Sequence, residues 1–173
     1  MAPSNGPPPQ TGLALPLIYR LFFLVLEPVS ALVGAYFCHA RQARYLTLLD
    51  ASSAAAATYA TGAVPLGTSV ALSQLAAMYL FFALNEAVVL RSTGDLRVWR
   101  AVLAVLLLAD LAHLYALRAL AAPPRGSGVY HDVLAWNAAD WGNVPWVYAG
   151  AALRVCFLAG VGMGTTAPAK KLQ

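Results

Sequence analysis

Glu27 in LIYRLFFLVLEPVSALVGAYF, Glu86 in SQLAAMYLFFALNEAVVL and Asp110 in VLAVLLLADLAHLYAL are carboxylates set inside long apolar runs. An acid at the centre of a membrane helix costs about 2.5–3.5 kcal/mol on insertion scales. Such residues must face one another, or a small polar cavity, inside a helix bundle. A carboxyl kept neutral by burial can protonate an epoxide oxygen or an alkene. A second, ionised carboxylate can activate water or stabilise a cation.

His113 follows Asp110 by three residues, so the two side chains share a helical face and the acid can orient the imidazole. Glu27 and Asp110 are therefore expected as an acid and base pair, with His113 tuned by Asp110. Glu86 and Arg154 fall at similar depth on neighbouring spans and are expected as a structural ion pair that fixes which helices touch. Asn85 precedes Glu86 and points about 100° away from it. Gln74, Met78 and Asn85 share one stripe, which reads as interhelical bonding or pocket lining, with Tyr79 beside it.

The densest polar and aromatic cluster runs from Trp136 to Asn143. An interfacial aromatic belt accounts for Trp136, Trp141 and Trp146. It does not account for Asn137, Asp140 and Asn143, whose spacing of three would line one face of a helical turn. Asp140 and Asn143 are expected to position water or substrate, with Asn137, Trp136 and Trp141 lining the same region. Aromatic faces can also stabilise a developing carbocation.

The elements that position these residues follow from composition. Of the 173 residues, 60% are hydrophobic and only 10% charged. The mean hydropathy is +0.65. Soluble domains carry about 25% charged residues, so this is the composition of a compact polytopic membrane protein. Four apolar runs approach or exceed the roughly 20 residues needed to span a bilayer. They are centred on 16–37, 66–90, 96–120 and 143–162. Helices are required, because open strands would leave backbone groups unpaired in lipid. The expected architecture is all-α: a four-helix transmembrane bundle over 16–164, with a disordered N-terminal tail at 1–15 and a short C-terminal tail at 165–173.

Boundary residues agree. Pro16 can start the first helix, Asp95 can cap the third, and Pro123-Pro124 can end it. The Ala-, Ser- and Thr-rich stretch 51–65 reads as a loop. The net charge of +4 resides mostly in residues that flank the spans, which suits lipid headgroups and not nucleic acid. Arg20, Arg91, Arg97, Arg100, Lys170 and Lys171 fall on one side, which places both termini in the cytoplasm by the positive-inside rule. Cys38 and Cys156 sit towards opposite faces and are not expected to bridge. No CxxC, HExxH or His/Cys cluster is present in the sequence, so no metal is expected. No cofactor motif is present either. Gly160 and Gly164 form a GxxxG, expected to pack against a neighbouring helix.

The runs LPLIYRLFFLVLEPVSALVGAY, Met78 to Glu86, DLRVWR, ADLAHLY and WNAADWGNVPWVYAGAALR together resemble a family of small fungal integral membrane proteins. Some members are similar to membrane-bound tailoring enzymes of natural-product clusters, including epoxide hydrolases or cyclases acting on polyene polyketides. The chain also resembles, more distantly, the larger membrane-bound terpene cyclases, which open an epoxide with acidic residues. The resemblance implies a tailoring enzyme of secondary metabolism in the endoplasmic reticulum membrane that opens an epoxide on a lipophilic polyketide or terpenoid. The alternatives are a sterol- or terpenoid-type isomerase or cyclase, and a non-catalytic accessory or lipid-binding membrane protein. The expected partners are a lipophilic small molecule and membrane lipid, with a homo-oligomer left open.

Overall fold

The structure, a computed structural model, describes residues 15–51, 63–121 and 126–163. Among the described residues every regular element is helical. Three long helices dominate: α1 (Leu17–Ala40), α3 (Leu66–Leu90) and α4 (Leu96–Ala121), of 24, 25 and 26 residues. At about 1.5 Å per residue each exceeds the roughly 30 Å hydrocarbon thickness of a bilayer. Their outer faces expose Val29, Leu32, Val33, Phe81, Val105 and Leu108. Water would penalise that surface and lipid would not, so these three helices have the character of membrane spans. Short helices α2 (Gln42–Leu49) and α5 (Ala138–Asn143), a 3-10 turn at Gly126–Tyr130 and the 14-residue α6 (Pro145–Leu158) complete the described part.

The fourth expected span is not shown. The helical run is interrupted at Val144, a turn residue at φ −113°, ψ −72° between α5 and α6, and Pro145 opens α6. Fourteen residues rise about 21 Å, short of a bilayer core. The end of α6 is also earlier than expected. Gly160 adopts φ +79°, and its N–H bonds Phe157 O while Val161 N–H bonds Cys156 O, both at 2.9 Å. That is a Schellman stop, in which glycine relieves the left-handed backbone. Gly160 therefore ends a helix; Gly164, the other half of the expected GxxxG, lies outside the described residues.

Two boundary expectations hold. Pro16 precedes the first residue of α1, and the Asp95 carboxylate accepts Arg97 N–H at 2.8 Å to cap α4. The expected loop at 51–65 falls largely on 52–62, outside the described residues, as do Pro123-Pro124 and residues 1–14 and 164–173. Cys38 and Cys156 are both free thiols.

α1 packs along α3, and α6 packs along α4. An aromatic core of Tyr19, Phe22, Phe23, Trp99 and Phe157 joins α1, α4 and α6 at one end, with Leu90 of α3 in the same cluster. Tyr19 also donates its hydroxyl to Val161 O at 2.8 Å, tying the start of α1 to the stop after α6.

Candidate functional site

The site begins with a proline inside a helix. Pro28 has no N–H, so it cannot complete the bond to Leu24 O that an α-helix requires. Arg91, directly after α3, supplies the missing donor: its Nη2 reaches Leu24 O at 2.7 Å. Upstream, residues Phe22–Leu26 form a π turn, closed by Glu27 N–H on Phe22 O. A second π turn, Asn85–Leu90, occupies the end of α3, where the Asn85 amide donates to Phe81 O at 2.9 Å. The two π turns pack on each other. Such turns reposition side chains relative to a regular helix and recur at functional sites. Here Glu27 follows the first and Glu86 lies in the second.

Both acids point inward and meet Arg154 of α6, which is fully buried with Glu86. Arg154 Nη1 donates to Asp110 Oδ2 at 2.7 Å, and Nη2 donates to Glu86 Oε1 at 3.1 Å. Glu27 Oε2 lies 2.8 Å from Nη2. Three carboxylates from α1, α3 and α4 thus converge on one guanidinium from α6. Glu27 and Glu86 lie on the same Arg154 nitrogen, Nη2, and are therefore close neighbours. Among the described residues, Glu86 Oε2 and Arg154 Nε have no hydrogen-bond partner. The guanidinium carbon lies 5.5 Å from the Phe23 ring centre and 5.3 Å from that of Phe82, so two aromatic faces flank the cation. Gly150, one turn before Arg154, leaves the space: a Cβ there would sit 2.7 Å from Arg154 Nη1 and 2.9 Å from Glu27 Oε1.

The expected Glu86–Arg154 contact is present, but it is not separate from Glu27 and Asp110. All four residues form one group, although depth along the helices alone assigns them to two layers. Helical rise orders residues along one axis; it does not predict how far a long arginine reaches to gather acids from other helices.

The other candidates lie elsewhere. Asp110 gives its carboxylate to Arg154, whereas the His113 imidazole interacts with the backbone and side chain of Asn143. His113 and Asn143 thus form a pair of their own, and His113 Nε2 is buried with no partner among the described residues. Asn137 and Asp140 make a capping box on α5. Asn137 Oδ1 accepts Ala139 and Asp140 N–H at 2.7 and 3.1 Å, and Asp140 Oδ2 accepts Asn137 N–H at 3.0 Å. The spacing of three that suggested a lined pocket is here a helix start. Asn137 Nδ2 also reaches Leu48 O at 2.7 Å, fastening α5 to α2. Trp136 donates to Val129 O at 3.0 Å and meets Trp141 edge-on at 5.4 Å. Tyr79 packs its ring on Gly34 and joins Tyr45 and Cys38 in a second polar group. Burial, then the neighbouring Tyr79 and Cys38, push the Tyr45 hydroxyl far above its usual range.

Pro28, Gly150, Phe23 and Phe82 are the site residues that sequence reasoning passed over. Pro28 next to Glu27 carries a legible signal, because an internal proline demands a substitute donor. Gly150 carries none, since its value lies in an approach between helices. Among the described residues no group of three or more His, Cys, Asp or Glu side chains is arranged to hold a metal. Clefts on the described surface include one of about 340 Å³ between α1 and α3 near His39 and Ser73 and one of about 390 Å³ near Arg20 and Arg91. Neither is lined by Glu27, Glu86, Asp110 or Arg154.

Residues 12–164 match the model of a family described as a domain of unknown function, DUF7704. The match spans most of the chain, and the protein belongs to that family. No curated protein and no solved structure matches it.

Proposed function

For this member of the DUF7704 family we propose a membrane-embedded enzyme that opens an epoxide on a lipophilic polyketide or terpenoid. The convergence of Glu27, Glu86 and Asp110 on Arg154 carries this reading. One cation balances one of three acids, so the cluster holds exchangeable protons at a depth where water is scarce. Glu27, in contact with Glu86, donates a proton to the epoxide oxygen as the C–O bond breaks. Water, or a hydroxyl of the substrate, attacks the carbon released and gives its proton to Asp110. Transfer from Asp110 back to Glu27 restores the cluster. Glu27 and Asp110 each retain about 7% side-chain exposure, whereas Glu86 and Arg154 have none. That difference supports giving the chemistry to the first two and the supporting role to the last two. The Phe23 and Phe82 faces lie close enough to stabilise positive charge at the opening carbon. The same product class covers cyclisation, when the internal hydroxyl attacks, and isomerisation, when a proton is lost from the substrate instead. The substrate enters laterally from the endoplasmic reticulum bilayer, with both termini on the cytoplasmic side.

A second reading follows from the placement of the clefts. Because neither is lined by the acid cluster, the four charged residues can serve as a lock that fixes the bundle of a non-catalytic membrane protein. Membranes containing the full chain, incubated with a terminal epoxide of a hydroxyl-bearing linear polyene in ¹⁸O-labelled water, separate the two. The enzyme yields a diol carrying one ¹⁸O or an unlabelled cyclic ether, and Asp110→Asn lowers turnover by roughly 10²–10⁴-fold while the protein stays folded. Conversion no faster than in membranes lacking the chain supports the lock.

A further inference from the structure

The cleft of about 390 Å³ near Arg20 lies at one end of all three long helices. Arg20 is one turn into α1, Arg91 directly follows α3, and Trp99 is in the first turn of α4. In a bilayer that end lies at headgroup depth. We propose that this cleft binds the phosphate headgroup of an anionic phospholipid, with Arg20 and Arg91 on the phosphate and an acyl chain along Leu15 and Leu24.

Arg91 is preorganised. One of its N–H groups is fixed on Leu24 O at 2.7 Å, and a guanidinium has five donors, so the rest remain for a ligand. Arg20 is exposed, and among the described residues no ion pair or hydrogen bond engages its side chain. Two guanidinium groups on one cleft form a fork suited to phosphate oxygens. The nearby acid, Asp95, is already committed to capping α4 through Arg97 N–H. Trp99 walls the cleft rigidly, since it is buried and its Nε1 donates to Thr93 O at 3.1 Å. Leu15 and Leu24, both partly exposed, supply the apolar side that a free anion would not need. Arg97 and Arg100 are exposed at the same end but outside the cleft, so they serve as controls for general surface charge.

The test measures thermal unfolding of the purified full chain in maltoside micelles. Phosphatidic acid, phosphatidylcholine or inorganic phosphate is titrated in. Phosphatidic acid should raise the unfolding temperature saturably, and the other two should not. Arg20→Gln should weaken the apparent affinity for phosphatidic acid about tenfold, the loss of one charge-assisted hydrogen bond. Arg97→Gln should leave that affinity unchanged. Arg91→Gln also frees Leu24 O and lowers basal stability, so Arg20→Gln is the deciding variant. Unchanged affinity in Arg20→Gln overturns the proposal, as does an equal loss in Arg97→Gln, which would reduce the effect to net charge. Equal stabilisation by inorganic phosphate would make the cleft an ion site with no role for the chain, and equal stabilisation by phosphatidylcholine would remove the anion preference.

Discussion

Gly150 and Arg154 sit one turn apart on α6, and a Cβ on the first would lie 2.7 Å from Nη1 of the second. A flexible side chain would normally swing away. Arg154 cannot do so cheaply, because moving Nη1 breaks its 2.7 Å bond to the buried Asp110 carboxylate. Gly150→Ala should therefore lower stability by about 1–3 kcal/mol, the usual cost of overpacking. Gly67→Ala is the control, since nothing lies within 4 Å of a Cβ there and it is also helical. Unfolding temperatures of the two variants in detergent decide the matter: equal values would mean that the guanidinium is not held in place.

The shared guanidinium changes what single charge removals should do. A lone Glu86–Arg154 pair would leave Arg154 buried and uncompensated once Glu86 became Gln, at a cost of about 3–5 kcal/mol. With Glu27 and Asp110 on the same cation, Glu86→Gln leaves two partners and the loss should be well below that figure. Arg154→Met should incur the full penalty, because three acids then lose their only cation among the described residues. Melting curves of both variants measure this ranking, and a Glu86→Gln loss as large as that of Arg154→Met would dissolve the four-residue group.

The acids were legible because each stands alone in an apolar run, where burial without a partner is too costly to persist. Their shared partner was only half legible. Arg154 stood out as a buried cation, yet sequence gives depth along a helix and says little about rotation around it. Asn137 and Asp140 misled for a related reason: three-residue spacing describes both a lined face and a capping box. Val144-Pro145 is where the last apolar run breaks, between the end of α5 and the start of α6. Apolar composition carries through such a break, whereas helix continuity does not.

The capping box makes its own prediction. Asn137→Ala removes the acceptor for Ala139 and Asp140 N–H and the bond to Leu48 O. Loss of an N-cap costs about 0.5–2 kcal/mol, and the lost tie between α5 and α2 adds to it. Asn137→Asp keeps the acceptor but not the donor to Leu48 O, so it should recover part of the loss. Amide hydrogen exchange across 137–144 should rise in Asn137→Ala and return partway in Asn137→Asp. Unchanged exchange in Asn137→Ala would show that packing alone holds α5 and that the segment is free for another role.

Pro28 and Arg91 should be energetically coupled although they sit on different helices. Leu24 O takes the Arg91 Nη2 donor at 2.7 Å because residue 28 has no N–H to offer. In the natural sequence, Arg91→Gln strands that carbonyl or leaves it to a weaker donor, at about 1–3 kcal/mol. In a Pro28→Ala background the residue-28 amide can bond Leu24 O, and the same Arg91→Gln change should cost much less. The double-mutant cycle from chemical or thermal unfolding should give a coupling of about 0.5–3 kcal/mol. Pro28→Ala should also regularise the π turn at Phe22–Leu26 and turn Glu27 away from Arg154, so the epoxide-opening turnover proposed above should fall with it. Additive effects of the two substitutions would mean that Arg91 does not replace the missing proline donor, and that the π turn has another cause.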